Sequence, residues 1–282
     1  MRFTEIFAKS FDEYKKSFGS IFKLAFVFVA IPSLLGIIVL YLMSLSDPVF
    51  YSAFVNGDFE GLSAMFYFVI FLLSMISVVL YVMFEAGLVK ESLRGRIGFG
   101  ASIESSKKYF WKFVWYGIVS IFLLGLLFLA FIIPGIIFMI YWSLAVYVYF
   151  DSRKSVIESF RTSFHIVRGN WWRIFGYTIL IVLLVGVVGL ILDLFTVPMA
   201  LYIESLASPS LGVVFINFLI EDVVNFFNIL ITVPFIVLFY KNIYLRLRKE
   251  KRGVGRGVSK ASKDEKEKRG GKGKKGGKGK KR

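Results

Sequence analysis

Long stretches without a single Asp, Glu, Lys or Arg divide this chain, and they constrain its fold more than any other feature. The charge-free stretches are 24–46, 61–84, 113–150, 174–192, 205–220 and 223–240. About 20 apolar residues suffice for a helix to cross the hydrocarbon core of a bilayer. The chain is 57% hydrophobic, with a mean hydropathy of +0.70, whereas a soluble domain has roughly 45–50% apolar residues. These features exclude a soluble globular protein and predict a membrane protein.

The charge-free stretches predict an all-α polytopic bundle with six transmembrane helices. The stretch 113–150 would be about 57 Å long as one helix, so we divide it into two helices joined by a tight turn at Pro134-Gly135. Glu221 and Asp222 interrupt the last stretch, but about 20 residues below them are enough to cross the bilayer. The predicted spans are 24–46, 61–84, 113–132, 135–150, 174–195 and 212–241. They lie within a membrane domain 1–248 that precedes a tail 249–282, which we expect to be a disordered Lys/Gly-rich cytoplasmic segment.

The basic residues predict the orientation of these spans. The segments 1–23, 85–112, 151–173 and 241–282 hold 5, 6, 5 and 19 Lys and Arg, which is all 35 in the chain. By the positive-inside rule these segments are cytoplasmic, so we expect a multi-pass protein of the cell membrane with both termini in the cytoplasm. The competing interpretation of 24–46 as a cleaved secretory signal fits poorly, because the stretch is longer than a usual h-region.

Amphipathic segments precede several spans and suggest an internal repeat. Aromatic residues recur at helical spacing in the first segment, and apolar residues recur in the same way before the fifth span, which predicts helices lying at the headgroup level. The two segments align without a gap at an offset of 153, and a looser copy around Trp111 precedes the third span. We infer a threefold repeat of one amphipathic helix and a two-span hairpin. The alternative is that any basic helix entering a membrane has this pattern. The apolar series are Phe3, Phe7, Phe11, Tyr14 and Phe18, and Val156, Phe160, Phe164, Val167 and Trp171.

Four stretches carry a family resemblance. They are Ile133-Pro134-Gly135-Ile136, then Ser143-Leu144-Ala145 leading to Asp151, then 159–173 (SFRTSFHIVRGNWWR), and 238–248 (LFYKNIYLRLR). Together they resemble the membrane domain associated with glycerophosphoryl diester phosphodiesterases and its stand-alone relatives.

The resemblance implies a six-span membrane architecture and not the catalysis in the family's name. In the fused relatives a soluble catalytic barrel follows the membrane domain, and its catalysis requires a His pair and acidic metal ligands. Here a Lys/Gly-rich tail follows Arg248, and His165 is the only His. The chain also has no Cys. We therefore expect a protein that is not an enzyme and has no cofactor and no metal site.

Polar residues form a stripe on one face of the last predicted span. Their spacing of three and four residues places them on the same side of the helix. Because intramembrane polar groups are costly unless they face a bundle interior or a wet cavity, the stripe predicts an outward polar vestibule. The alternative is that its amides hold helices together by hydrogen bonds. The stripe consists of Asn217, Glu221, Asn225, Asn228 and Thr232.

Acidic residues gather at the predicted outer boundary. Asp193, Glu204 and Asp222 are expected to form an acidic outer rim. Hard cations favour such carboxylates, but the spacing matches no known ligand loop, so a solvated rim is the interpretation we adopt.

Basic residues at the cytoplasmic face predict contact with anionic lipid. The segment 269–282 contains eight basic residues and six Gly, so it cannot form a core and is expected to be disordered. Anionic headgroups or RNA would both suit it. The residues expected to contact anionic lipid are Lys15, Lys16, Arg168, Arg173, Lys272, Lys274, Lys275, Lys280, Lys281 and Arg282.

Two functions follow from these patterns. The first is a non-enzymatic membrane protein that handles lipids or a small polar solute through the outward vestibule. The second is an accessory factor in membrane-protein biogenesis or assembly, whose tail binds an acidic cytoplasmic partner such as a ribosome or an acidic protein. The sequence names no substrate and does not indicate whether copies of the chain associate.

Overall fold

The computed structural model describes residues 2–56, 63–152, 154–206 and 210–273, and this part of the chain contains helices and no β-strand. Six helical stretches are long and apolar enough to span a membrane, so the protein is a polytopic α-helical membrane protein as predicted. The helices are α1 (Phe3–Ala25), α2 (Ile31–Ser46), α3 (Pro48–Asn56), α4 (Ala64–Arg94), α5 (Phe99–Ala130), α6 (Ile132–Trp142), α7 (Ala145–Asp151), α8 (Val156–Val167), α9 (Trp171–Asp193), α10 (Val197–Glu204) and α11 (Leu211–Gly273).

The first spanning stretch is longer than its charge-free core. α1 continues through a π-helical turn, Phe26–Ala30, into α2, so one helical stretch runs over Phe3–Ser46. Pro32 explains the π-helical turn, because proline lacks an N–H and its ring crowds the carbonyl four residues earlier. The predicted amphipathic segment is therefore helical and joined to the first span without a break at residue 24.

The aromatic face of α1 packs partly on the last long helix. The ring centroids of Phe3 and Phe239 are 5.6 Å apart, and those of Phe7 and Phe235 are 5.2 Å apart. Phe11 and Phe18 on the same helix remain exposed. The N-terminal helix thus contributes to the bundle as well as to its surface.

The hairpin between the third and fourth spans turns at Phe131, and the prediction of a turn at Pro134-Gly135 is wrong. Phe131 has an extended backbone between α5 and α6. Pro134 lies in the first turn of α6, where a helix has no partner for the backbone N–H that proline lacks. A Cβ on Gly135 would lie 2.7 Å from the Phe128 ring, so the glycine permits the close approach of the two helices.

A three-unit arrangement organises the bundle, and each unit has an amphipathic segment and two spans. The units comprise α1–α4, α5–α7 and α8–α11. Ser10, Ser102 and Ser163 each lie in an amphipathic segment and are 0% exposed. Each of them contacts the second span of the neighbouring unit. The three units therefore close into a ring.

The three serine contacts differ in chemistry, but each one joins an amphipathic segment to the second span of the neighbouring unit. Ser163 Oγ donates to the Tyr141 carbonyl oxygen of α6 at 2.7 Å. Asn242 Nδ2 of α11 donates to Ser10 Oγ at 3.1 Å. The Ser102 carbonyl oxygen would lie 2.8 Å from a Cβ on Gly87 of α4. A small side chain at each position allows the amphipathic segment to approach its neighbour closely.

Candidate functional site

A groove of about 1070 Å³ lies between α6 and the beginning of α9, and we call it the α6–α9 groove. α6 supplies an apolar wall, and the residues that connect α8 to α9 supply polar and aromatic groups. Trp171 Nε1 donates to the Ile137 carbonyl oxygen at 3.2 Å, which ties the two sides together. The lining residues are Ile133, Ile136, Ile137, Tyr141, Gly169, Asn170, Trp171, Trp172, Arg173 and Phe175.

The turn before α9 positions the polar groups of the groove. α8 ends at Val167, and Gly169 has a φ of +90°, which glycine adopts without steric cost. The chain then enters α9 with Asn170 and Arg173 one turn apart, and Arg173 Nη1 donates to Asn170 Oδ1 at 3.2 Å. This arrangement holds a guanidinium and an amide together at the mouth of the groove.

The groove lining combines polar and apolar groups. α9 begins at the end of the bundle where the Lys and Arg of 151–173 lie, which we call the basic end, and α6 begins after Phe131 at the opposite end. Arg173 and Asn170 belong to the basic end, and Ile133 lies in the first turn of α6. The Trp172 side chain is 78% exposed beside Arg173. The groove is thus lined by a guanidinium, an amide and isoleucine side chains, and it is flanked by an indole of the kind enriched at membrane interfaces.

A layer of charged residues closes the basic end of the bundle. Lys241 Nζ donates to Glu13 Oε2, and Asn242 Nδ2 donates to the same oxygen at 3.0 Å. The Tyr244 hydroxyl donates to Asp151 Oδ2 at 2.6 Å, and Arg248 pairs with the same carboxylate. These bonds join α1 and α7 to α11, so they have a structural role.

The predicted polar stripe lies on α11, and its side chains form hydrogen bonds within that helix. Asn217 Nδ2 donates to Glu221 Oε1 at 2.8 Å, and Thr232 Oγ1 donates to the Asn228 carbonyl oxygen at 2.7 Å. Asn228 faces α9, since its Nδ2 would lie 3.5 Å from a Cβ on Gly189. Asn225 is exposed and Thr232 is buried. Whether the stripe lines a vestibule stays a prediction.

The three acids assigned to the outer rim lie in different settings. Asp193 is the last residue of α9 and Glu204 the last residue of α10. Asp222 lies within α11, eleven residues after its start at Leu211, and it is half-buried near Ser33 of α2. Among the described residues, no group of three or more His, Asp or Glu could hold a metal ion.

The residues predicted to contact anionic lipid are only partly described. Lys15 Nζ lies 4.4 Å from the Phe11 ring centroid, and Lys16 lines a small cavity beside Glu13 and Arg96. Arg168 is exposed, and Arg173 lines the α6–α9 groove. Lys272 lies in α11 beyond Lys251, the last residue whose side chain is described; Lys274, Lys275, Lys280, Lys281 and Arg282 lie outside the described residues.

The disorder of the tail beyond residue 248 stays a prediction. α11 continues to Gly273, past the end of the predicted membrane domain. The disorder expected of the Lys/Gly-rich segment rests on its composition.

Sequence reasoning identified Arg173 but not the groove around it. Trp171, Trp172 and Asn170 belonged to a stretch noted for its resemblance and its interfacial pattern. The double tryptophan followed by arginine, directly after an Asn that ends a turn, is the signal that could have suggested a headgroup-level site.

The fold and the groove define a multi-pass α-helical membrane protein with a surface groove at one end of the bundle. The chain belongs to the family described as a domain of unknown function, DUF7847, which matches residues 50–243. No curated protein and no solved structure matches the chain. The resemblance to the membrane domain of glycerophosphoryl diester phosphodiesterases stays a prediction.

Proposed function

We propose that this protein is a non-enzymatic protein of the cell membrane that binds lipid in the α6–α9 groove. The observation that carries the proposal is the composition of the groove lining, which combines a guanidinium and an amide with three isoleucine side chains. A phospholipid likewise combines a charged headgroup with apolar chains. The groove replaces the outward vestibule as the site that best supports lipid handling.

The proposed orientation places the polar groups of the groove at the cytoplasmic surface. All 35 Lys and Arg lie in the segments that meet at the basic end or in the tail, and the positive-inside rule assigns such segments to the cytoplasm. Arg173 and Asn170 then lie at the level of the inner headgroups. Trp171 and Trp172 lie in the interfacial region that amphipathic rings prefer.

The lipid would be held by one charge-assisted contact and by apolar packing. Arg173 donates hydrogen bonds to the phosphate, for which its planar guanidinium is well suited. The acyl chain packs along Ile133, Ile136 and Ile137. No carboxylate or imidazole is present among the described lining residues, which supports binding without hydrolysis.

The binding of phosphatidylglycerol to the purified protein tests this proposal. Native mass spectrometry of the detergent-solubilised protein would titrate retained lipid for the wild type and for Arg173→Gln. A hydrogen bond to a charged group contributes about 1.5–3 kcal/mol, so we expect the Kd to rise by roughly one to two orders of magnitude.

Arg161→Gln is the matched control. Arg161 is an exposed arginine of α8 outside the groove lining, so its removal subtracts the same charge from the same surface. We expect the control to bind lipid like the wild type. Equal losses in both variants would mean that general surface charge, and not the groove, attracts the lipid.

A further inference from the structure

A second cavity lies between the helices of the bundle and has a different chemistry. It measures about 350 Å³ and is lined by residues of six helices. This volume is at the small end of the range of roughly 300–1000 Å³ typical of small-molecule sites. The side chains that matter here are Glu85 of α4, Tyr116 of α5, Trp142 of α6, Tyr147 of α7 and Phe160 of α8.

Glu85 is the acid of this cavity. It follows the charge-free stretch 61–84 directly, and α4 continues for nine residues beyond it to Arg94. Glu85 is thus inside a spanning helix. An ionisable side chain in such a place faces the bundle interior or a cavity, and it indicates a functional site by default.

The carboxyl group of Glu85 has no cation partner among the described residues. The Tyr81 hydroxyl, one turn earlier on α4, is close enough to interact with it. The lysines of the surrounding helices have other partners: Lys90 Nζ donates to the Phe150 carbonyl oxygen at 2.9 Å, and Lys241 Nζ pairs with Glu13. A carboxyl group therefore lines the cavity without a counterion among the described residues.

The polar groups of the cavity wall are bound to the backbone. The Tyr147 hydroxyl donates to the Val237 carbonyl oxygen at 2.9 Å. Ser143 Oγ donates to the Ile140 carbonyl oxygen at 2.8 Å, and Ser120 Oγ donates to the Tyr116 carbonyl oxygen at 2.6 Å. The hydrogens of these hydroxyls are therefore not donated to the Glu85 carboxyl group. What the wall offers a ligand is one carboxylate and several aromatic rings.

We propose that this second cavity binds a monovalent organic cation of the ammonium type, with Glu85 as its counterion. Aromatic faces attract such cations through their quadrupole, most strongly when the cation is desolvated. Tyr116, Trp142 and Phe160 supply aromatic rings in the lining, from helices other than the one that carries Glu85. One carboxylate matches one positive charge. A divalent metal fits less well, because hard divalent ions take several oxygen ligands.

Equilibrium binding of radiolabelled tetraethylammonium to the purified protein in detergent tests this site. The wild type should bind the probe saturably at one site per chain. Glu85→Gln keeps the size of the side chain and removes its charge, and it should weaken binding at least tenfold. Glu104→Gln removes an exposed acid of α5 that does not line the cavity, and it should bind like the wild type.

A second variant keeps the test decisive if Glu85→Gln does not fold. Trp142→Leu removes an aromatic face and leaves the carboxylate, and it should also weaken binding, with elution on size exclusion unchanged. No saturable binding to the wild type would overturn the proposal. So would affinity equal to wild type in a folded Glu85→Gln or in Trp142→Leu, or displacement of the probe by an equal concentration of Na⁺.

Discussion

Lys241 Nζ lies 2.5 Å from Oε2 of Glu13, a residue 228 positions earlier in the chain. This ion pair joins the first helix to the last and closes the ring of three units. The Lys241 side chain is only 1% exposed, whereas that of Glu13 is 23% exposed. The two partners therefore differ in what their removal leaves behind.

Removing Glu13 should destabilise the protein more than removing Lys241. In Glu13→Leu the buried ammonium of Lys241 loses its counterion, and breaking a buried pair in this way costs about 3–5 kcal/mol. In Lys241→Met the remaining carboxylate reaches solvent, so we expect a loss of about 1–2 kcal/mol. Denaturant unfolding of the purified protein in mild detergent measures both. Lys9→Gln is the control, since Lys9 is exposed and lies 4.0 Å from the other Glu13 oxygen; equal effects of the two pair variants would contradict this account.

A methyl group at Gly87 should disrupt the contact between α4 and α5. A Cβ there would lie 2.8 Å from the Ser102 carbonyl oxygen, and backbone cannot give way like the end of a side chain. Overpacking of this kind typically costs about 1–3 kcal/mol. Gly87→Ala should lower the melting temperature in detergent, whereas Gly117→Ala in α5, with nothing within 4 Å of its Cβ position, should not. A melting temperature of Gly87→Ala equal to that of the wild type would mean that the two helices can move apart without loss of stability.

The charge pattern predicted the number of spans because charges mark the limits of a membrane core, but it did not predict where helices end. α4 continues past Glu85 to Arg94, and α1 begins 21 residues before the charge-free stretch that starts at Leu24. Helices end where backbone hydrogen bonding stops, and a charged residue within a bundle does not stop it. Glu85 was consequently treated as a boundary and overlooked as a half-buried acid that lines a cavity.

The groove and the cavity could not be predicted from the sequence because both depend on distances between helices far apart in the chain. Ile137 and Trp171 are 34 positions apart, and their contact follows from the packing of α8 along α6. The turn at Phe131 carries no glycine or proline to mark it. Pro134 led to a predicted turn three residues after the real one. The prediction failed because a helix tolerates proline in its first turn.

Cysteine labelling in intact cells should establish the orientation. The chain has no native Cys, so single substitutions report without background. Ser63→Cys and Ser205→Cys lie in exposed connections opposite the basic end and should react with a membrane-impermeant maleimide from outside. Gly100→Cys, exposed at the start of α5, should react only after the membrane is permeabilised. The reverse pattern would place the basic segments outside.

The two asparagines of the polar stripe should differ in their effect on stability. Asn228 accepts a hydrogen bond from Thr232 and faces Gly189 of α9, whereas Asn225 is exposed. Asn228→Leu should destabilise the bundle by about 0.6 kcal/mol or more, the mean for a hydrogen bond within a membrane protein, and Asn225→Leu should change stability less. Chemical unfolding in micelles would measure the two variants. Equal stability, together with a loss of solute transport in vesicles, would favour a vestibule over helix packing.

The basic tail should bind anionic membranes through screened electrostatics. Eight basic residues in 269–282 follow the last span, and each contributes about 1 kcal/mol near an anionic surface. A fluorescent label attached at residue 282 should lose mobility when phosphatidylglycerol is added to neutral vesicles. It should regain mobility at 1 M salt, where the Debye length falls to about 3 Å. A label equally mobile in neutral and anionic vesicles would remove lipid as the partner. In that case, loss of ribosome co-sedimentation on deletion of 253–282 would assign the tail to an acidic cytoplasmic partner.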